Sequence, residues 1–98
     1  MKTLLILLIP AAFAANRADE CFAMRGNRTP EAIASMTRWL EDPELRSCAA
    51  QNLQAIEAIE PLRAALNSKN PETRAAAARM LGTFRRNDLI DDLATVAA

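Results

Sequence analysis

The two cysteines, Cys21 and Cys48, are the side chains of this sequence with the widest chemistry. They lie 27 positions apart and form no Cys-x-x-Cys redox motif, and two thiols without any histidine are too few for a zinc site. In an oxidising compartment an even number of cysteines favours one disulfide. The alternative is that Cys48 is a small buried apolar residue of a helix, with Cys21 merely nearby.

Carboxylates are the other candidates for chemistry, but their positions favour a structural role. The pairs Glu41–Asp42 and Asp91–Asp92 fall at the ends of predicted helices, where capping and the helix dipole account for them. The chain has no histidine or tyrosine, and it contains no Gly-rich phosphate loop, HExxH or GxSxG motif. We therefore predict no catalytic residue, no metal site and no cofactor.

The N-terminal residues 1–14 have the organisation of a secretory signal peptide. The positive charge of Lys2 precedes the apolar run 4–9, and the small side chains of Ala12 and Ala14 place the predicted cleavage after Ala14. The compartment that favours a disulfide is therefore the one that the sequence predicts, the periplasm or the extracellular space.

Two alternatives to a cleaved signal peptide are less compatible with the residues. A retained membrane anchor needs roughly 20 apolar residues, and the apolar stretch 3–15 is only thirteen residues long. A lipoprotein is disfavoured because Cys21 follows Ala18-Asp19-Glu20 rather than a small apolar triplet. We expect no membrane span after cleavage.

The composition favours one all-α domain. The chain has 98 residues, of which 51% are apolar and only 4% aromatic, with two glycines, and Ala and Leu dominate the apolar fraction. Lys plus Arg equals Asp plus Glu at twelve each, so charge gives no reason to expect nucleic acid or an anionic membrane as the partner.

An internal repeat supplies the helices. The block starting Asp42-Pro43-Glu44 recurs 28 residues later as Asn70-Pro71-Glu72, and Arg, two alanines and Leu follow in the same register. Each block has an N-cap residue, Pro at the first helical position and Glu in the first turn. A helix precedes each block, with an apolar stripe at i, i+3 and i+7. The stripes are Ile33, Met36 and Leu40; Ile59, Leu62 and Leu66; and Ile90, Leu93 and Ala97.

The predicted organisation is an N-terminal segment, 15–29, followed by repeats over 30–98. The segment contains a short leader helix near 19–25 that Gly26 ends. The helices predicted for the repeats are 30–41, 43–56, 58–68, 71–84 and 88–97. Trp39 is expected in or beside the core.

The stretch 70–82 resembles the second helix of the short bacterial HEAT-like repeats, also called phycobilisome-lyase-like repeats, and 89–93 resembles the start of the next unit. The resemblance covers about two and a half units over 30–98. It implies an armadillo-like α-solenoid of antiparallel helix pairs. The junction 54–57 departs from the family pattern, because it lacks the usual Gly and is about two residues shorter.

The resemblance also implies roles for single residues. Arg46 and Arg74 would tie turns of adjacent units together. The second helices would line the concave surface where partners of such solenoids bind. There the polar strip Ser47, Gln51, Gln54 and Arg79 is the predicted contact surface, Gln51 and Arg79 above all, and the alternative is a solvated face without a partner.

The predicted function is that of an exported repeat scaffold that binds another protein. One alternative is a structural fragment or cap of a larger repeat protein, and an enzyme accessory module is a third. The chain stops inside the first helix of a third unit, which would leave one apolar side incompletely covered. Three explanations are open: a longer solenoid, self-association through this C-terminal helix, or a modest capping role for the helix. The first two explain the uncovered side best.

Overall fold

The computed structural model describes residues 17–84 and 93–94. These residues contain α-helices and no strand, as the sequence predicts. The helices of 17–84 are α1 (Arg17–Ala23), α2 (Pro30–Trp39), α3 (Arg46–Ala55), α4 (Ile59–Ala65) and α5 (Pro71–Leu81). The predicted signal peptide, 1–14, lies outside the described residues, as does most of the helix predicted at 88–97.

Helices α2 and α5 begin in the same way, at a polar cap followed by proline. The Thr29 hydroxyl accepts a hydrogen bond from the backbone N–H of Ala32 at 3.2 Å. The Asn70 side chain accepts one from the N–H of Glu72 at 2.9 Å. Both caps satisfy a donor that the first helical turn leaves without a partner, which fixes where each helix starts.

The predicted start of α3 at residue 43 is wrong, because the helix begins at Arg46. The Asp42 carboxylate accepts from the N–H of Glu44 at 2.9 Å, and the Asp42 carbonyl accepts from Leu45 and Arg46 at 3.1 and 2.8 Å. These bonds close a turn in place of the first helical turn. Leu45, which is only 2% exposed, then occupies the N-cap position and packs inward.

The α3–α4 junction, where the sequence lacks glycine, places Glu57 in the left-handed region at φ 55°. The Ala58 N–H donates to the Leu53 carbonyl at 2.9 Å, and the Glu57 N–H donates to that of Gln54 at 3.0 Å. This pair of bonds is a Schellman motif, which usually has glycine at the left-handed position. Glu57 therefore adopts the backbone of the missing glycine and carries the steric cost of its own Cβ.

Helix α3 packs against all four other helices, and α2–α3 and α4–α5 are the pairs of sequential neighbours. The predicted stripes face the core, since Met36, Leu40 and Leu62 are at most 1% exposed and Leu66 is 5% exposed. Ile33, Ile59 and Trp39 pack half-buried against the core, as does Leu93, the described member of the third stripe. The remaining buried apolar residues are Cys21, Ala32, Leu45, Ala49, Ala50, Leu53, Ile56, Ala76, Ala77 and Leu81.

Alanines dominate the buried faces of α3 and α5. Ala49, Ala50, Ala76 and Ala77 are buried, whereas Ala78 is half-buried. Because α3 packs on α5, these small side chains allow the two helices to approach closely.

Glu57→Gly is expected to stabilise the protein by about 0.5–1 kcal/mol, because glycine adopts the left-handed conformation without the penalty of a Cβ atom. Glu57→Ala removes the carboxylate and keeps the Cβ, so it should give no such gain. Urea denaturation of both variants measures the difference. An equal gain in both would assign the effect to charge and contradict the backbone explanation.

Candidate functional site

A surface groove of about 290 Å³ lies between α3 and α5. One wall comes from the start of α3 and the turn before it, and the other from α5. The lining residues are Pro43, Arg46, Ser47, Glu72, Ala75 and Arg79. The groove is thus built from two segments that the 28-residue repeat places in equivalent positions.

The groove contains two guanidinium groups and one carboxylate. Arg46 is half-buried and uses its Nε to donate to the Leu40 carbonyl at 2.8 Å. Arg79 and Glu72 are exposed, and neither side chain makes a hydrogen bond or ion pair with the described residues. The local charge is therefore one net positive, and most of its hydrogen-bonding capacity faces solvent.

The structure brings two of the four predicted contact residues to this groove. Ser47 and Arg79 line it, on α3 and α5 respectively. Gln51 lies beside it, where its side-chain amide donates to the Ser47 hydroxyl at 3.2 Å. Gln54 does not line the groove, and its amide donates to the Thr83 hydroxyl at 3.3 Å. The predicted strip is thus divided between the groove and the far end of α3.

Arg46 and Arg74 make equivalent bonds, each to a carbonyl six residues earlier. Arg46 donates to Leu40, and Arg74 donates through Nη1 to Ser68 at 2.7 Å. Each arginine thus fastens the start of one helix to the end of the helix before it. Each bond lies within its own helix pair, α2–α3 for Arg46 and α4–α5 for Arg74. The sequence-based expectation was instead a link between adjacent units.

Glu41 links the two helix pairs through its carboxylate. Its carboxylate accepts from the Ser68 hydroxyl at 2.6 Å and from the buried Thr73 hydroxyl at 2.8 Å. The Leu40 carbonyl, also 2.8 Å from that hydroxyl, shares its single proton. The hydrogen bond from Ser68, followed by that from Thr73, holds the pKa of Glu41 below its usual range. Helix-end capping alone, the sequence-based explanation for this carboxylate, is therefore incomplete.

Asp42 links the same turn to α1. It forms an ion pair with Arg17, which also lies 3.4 Å from the carboxylate of Glu44. The hydrogen bond from Arg17, with the backbone N–H of Glu44, lowers the pKa of the Asp42 carboxyl. The adjacent acids Glu41 and Asp42 thus point to opposite neighbours, one to the second helix pair and one to the leader helix.

A disulfide joins Cys21 on α1 to Cys48 on α3, with the two Cα atoms 6.4 Å apart. The buried Asn52 side chain, on α3, donates to the Cys21 carbonyl at 2.8 Å. A buried amide without a hydrogen-bond partner would destabilise the folded state, so the Asn52 amide favours the position of α1 that brings the Cys21 carbonyl to it. This hydrogen bond and the disulfide together hold α1 against α3.

Sequence reasoning missed Asn52, Thr73 and Glu72. Asn52 and Thr73 are buried polar residues. The 28-residue repeat could have indicated them, because it aligns each with an apolar residue, Asn52 with Met80 and Thr73 with Leu45. Glu72 was explained by its place in the first helical turn. No signal in the sequence indicates the pairing of Arg17 with Asp42.

Over 17–84 and 93–94, no group of three or more Cys, Asp or Glu side chains could hold a metal ion. No helix in this part of the chain combines the length and apolar character needed to cross a membrane. No protein-family model, curated protein or solved structure matches the chain.

The lowered pKa of Glu41 makes stability depend on pH in the acid range. The folded protein binds this proton less readily than the unfolded chain, so the stabilisation is complete above the unfolded value of about 4.3 and is lost as pH falls through the folded value. Ser68→Ala removes the hydrogen bond that lowers the pKa of Glu41 most, so this pKa should rise in the variant. Carbon-detected NMR titration of the Glu41 carboxyl measures its pKa in the folded wild-type protein and in the Ser68→Ala variant. A wild-type pKa at or above about 4.3 would contradict the geometry.

Removing the disulfide is expected to cost about 3 kcal/mol, since the closed loop spans 27 residues. Cys48→Ala, Cys21→Ala and the double variant should lose similar amounts, because each breaks the same crosslink. Guanidinium denaturation compares them, and a thiol reagent should titrate no free thiol in the unfolded wild-type protein. Additive losses, or two reactive thiols, would mean that the cysteines are unpaired.

Proposed function

We propose that this protein is an exported α-solenoid of HEAT-like repeats that binds another protein through the α3–α5 groove and the adjoining residue Gln51. The observation that carries the proposal is the groove itself, on whose walls Arg79 and Glu72 are exposed and have no hydrogen-bond or ion-pair partner within the described part of the chain. Charged side chains that make no hydrogen bond or ion pair with the described residues can bind a ligand.

The repeat organisation has structural support in equivalent contacts. Each proposed unit is one pair of sequential helices, α2–α3 or α4–α5, and the second helices α3 and α5 pack on each other. The bonds of Arg46 and Arg74 recur with the 28-residue offset of the sequence. Helix α1 precedes α3 by a similar interval and packs against it, so we interpret α1 as a half-unit that covers the first pair.

Export is supported by two independent features. The signal-peptide pattern of residues 1–14 directs the chain out of the cytoplasm. The pairing of Cys21 with Cys48 suits the oxidising compartment that such a chain enters.

One observation favours the second candidate function, a structural part or cap of a larger repeat assembly. The amides of Gln51 and Gln54 have partners within the chain, on Ser47 and Thr83. A polar strip satisfied in this way needs no external ligand. In the structural alternative, Arg79 and Glu72 simply face water.

Affinity capture separates the two functions. Residues 15–98 serve as bait against the exported proteins of the source organism, beside the double variant Gln51→Ala/Arg79→Ala. Arg38→Ala is the control, because it removes an exposed guanidinium from α2, outside the groove. We expect wild type and control to capture the same protein and the double variant to lose at least most of it. Capture that is absent, or equal for all three baits, would favour the structural alternative.

A further inference from the structure

We propose that the groove between α3 and α5 binds a short, extended, acidic segment of the partner protein, with its carboxylates held by Arg79 and Arg46. This inference rests on the proposed function and adds the chemistry of the partner. Its basis is the charge, the unused donors and the size of the groove.

The unused donors favour a carboxylate. Arg46 commits Nε to the Leu40 carbonyl, which fixes its guanidinium at the start of α3, and its two terminal nitrogens make no hydrogen bond with the described residues. The side-chain nitrogens of Arg79 make none with residues 17–84 and 93–94 either. Guanidinium groups bind carboxylates through two parallel N–H bonds, so each arginine offers a docking point.

The two arginines lie on different helices that line the same groove, so a ligand between them can meet both. The Ser47 hydroxyl adds a neutral donor on the Arg46 side, while Pro43 and Ala75 provide apolar contact. This combination suits a peptide, which presents carboxylates and aliphatic carbon together.

Glu72 gives the groove its selectivity. Its carboxylate repels a ligand that carries negative charge at every point, such as a nucleic-acid backbone, and the chain as a whole has no net charge to offset that repulsion. A peptide can instead place a backbone N–H or a hydroxyl opposite Glu72 and its carboxylates opposite the arginines. The groove therefore favours an acidic peptide over a polyanion.

The volume limits the length of the bound segment. About 290 Å³ is just below the range of about 300–1,000 Å³ for small-molecule sites. It accommodates a few side chains of an extended segment and not a whole amphipathic helix.

The test is an NMR titration of residues 15–98 with the blocked peptide acetyl-Gly-Glu-Asp-Glu-Gly-amide. Its counterpart has Gln and Asn in place of Glu and Asp. We expect amide shifts of Ser47, Ala75 and Arg79 with the acidic peptide alone, and weaker binding at about 0.15 M salt.

Variants give two opposite effects. Arg79→Ala should weaken binding about five- to tenfold. Glu72→Gln should tighten it about two- to threefold, because a like charge is removed. Arg38→Ala, the distant guanidinium control, should leave the affinity unchanged. A merely positive surface would respond equally to Arg38→Ala and Arg79→Ala.

Three results would overturn the proposal: equal shifts with the neutral peptide, shifts outside the groove, or inorganic phosphate binding as tightly as the peptide at the same residues. Affinity capture distinguishes this failure from failure of the proposed function. A protein that wild type captures and the Gln51→Ala/Arg79→Ala variant loses, with no binding of the acidic peptide, would contradict the acidic-segment proposal alone. If no protein is captured by wild type and lost by the double variant, the result contradicts the proposed function.

Discussion

The fold depends on the burial of α3. The described helices have seven to eleven residues, and isolated helices shorter than about 12–15 residues are marginal in water. Packing must therefore supply the stability that length does not. Because α3 contacts all four other helices, it converts short segments into one core. Leu53, in the last turn of that helix, is fully buried.

The helices could be predicted wherever local chemistry and the apolar pattern agree. At Asn70 the side-chain cap, the following proline and the glutamate of the first turn all indicate one helix start, and α5 begins there. At Asp42 the same residue types fail, because the carboxylate closes a turn and Leu45 is drawn into the core. That outcome depends on tertiary packing, which no local pattern contains. The left-handed Glu57 is similar, since the Schellman geometry overrides the residue's own preference.

The candidate site was predictable only as far as the repeat reaches. The 28-residue shift aligns α3 with α5, which is why Ser47 and Arg79 meet in one groove. Glu72 also lines the groove. Its place in the first turn of α5 accounts for its charge without a groove, because a carboxylate there stabilises the helix dipole, yet the same side chain can face a neighbouring helix. The couplings of Glu41 to Ser68 and of Arg17 to Asp42 join segments that carry no matching signal. They follow from how the helices pack, so a single sequence does not indicate them.

The alanines beneath the groove have a consequence for recognition. Large side chains between two helices can change rotamer and let the helices shift apart, whereas the methyl groups of Ala49, Ala50, Ala76 and Ala77 have no rotamers to change. Small side chains in the core let α3 and α5 pack closely on each other, and Arg46 and Arg74 fasten the first turn of each helix. A cleft with such walls is preorganised, so a ligand loses its own conformational entropy on binding while the protein loses little.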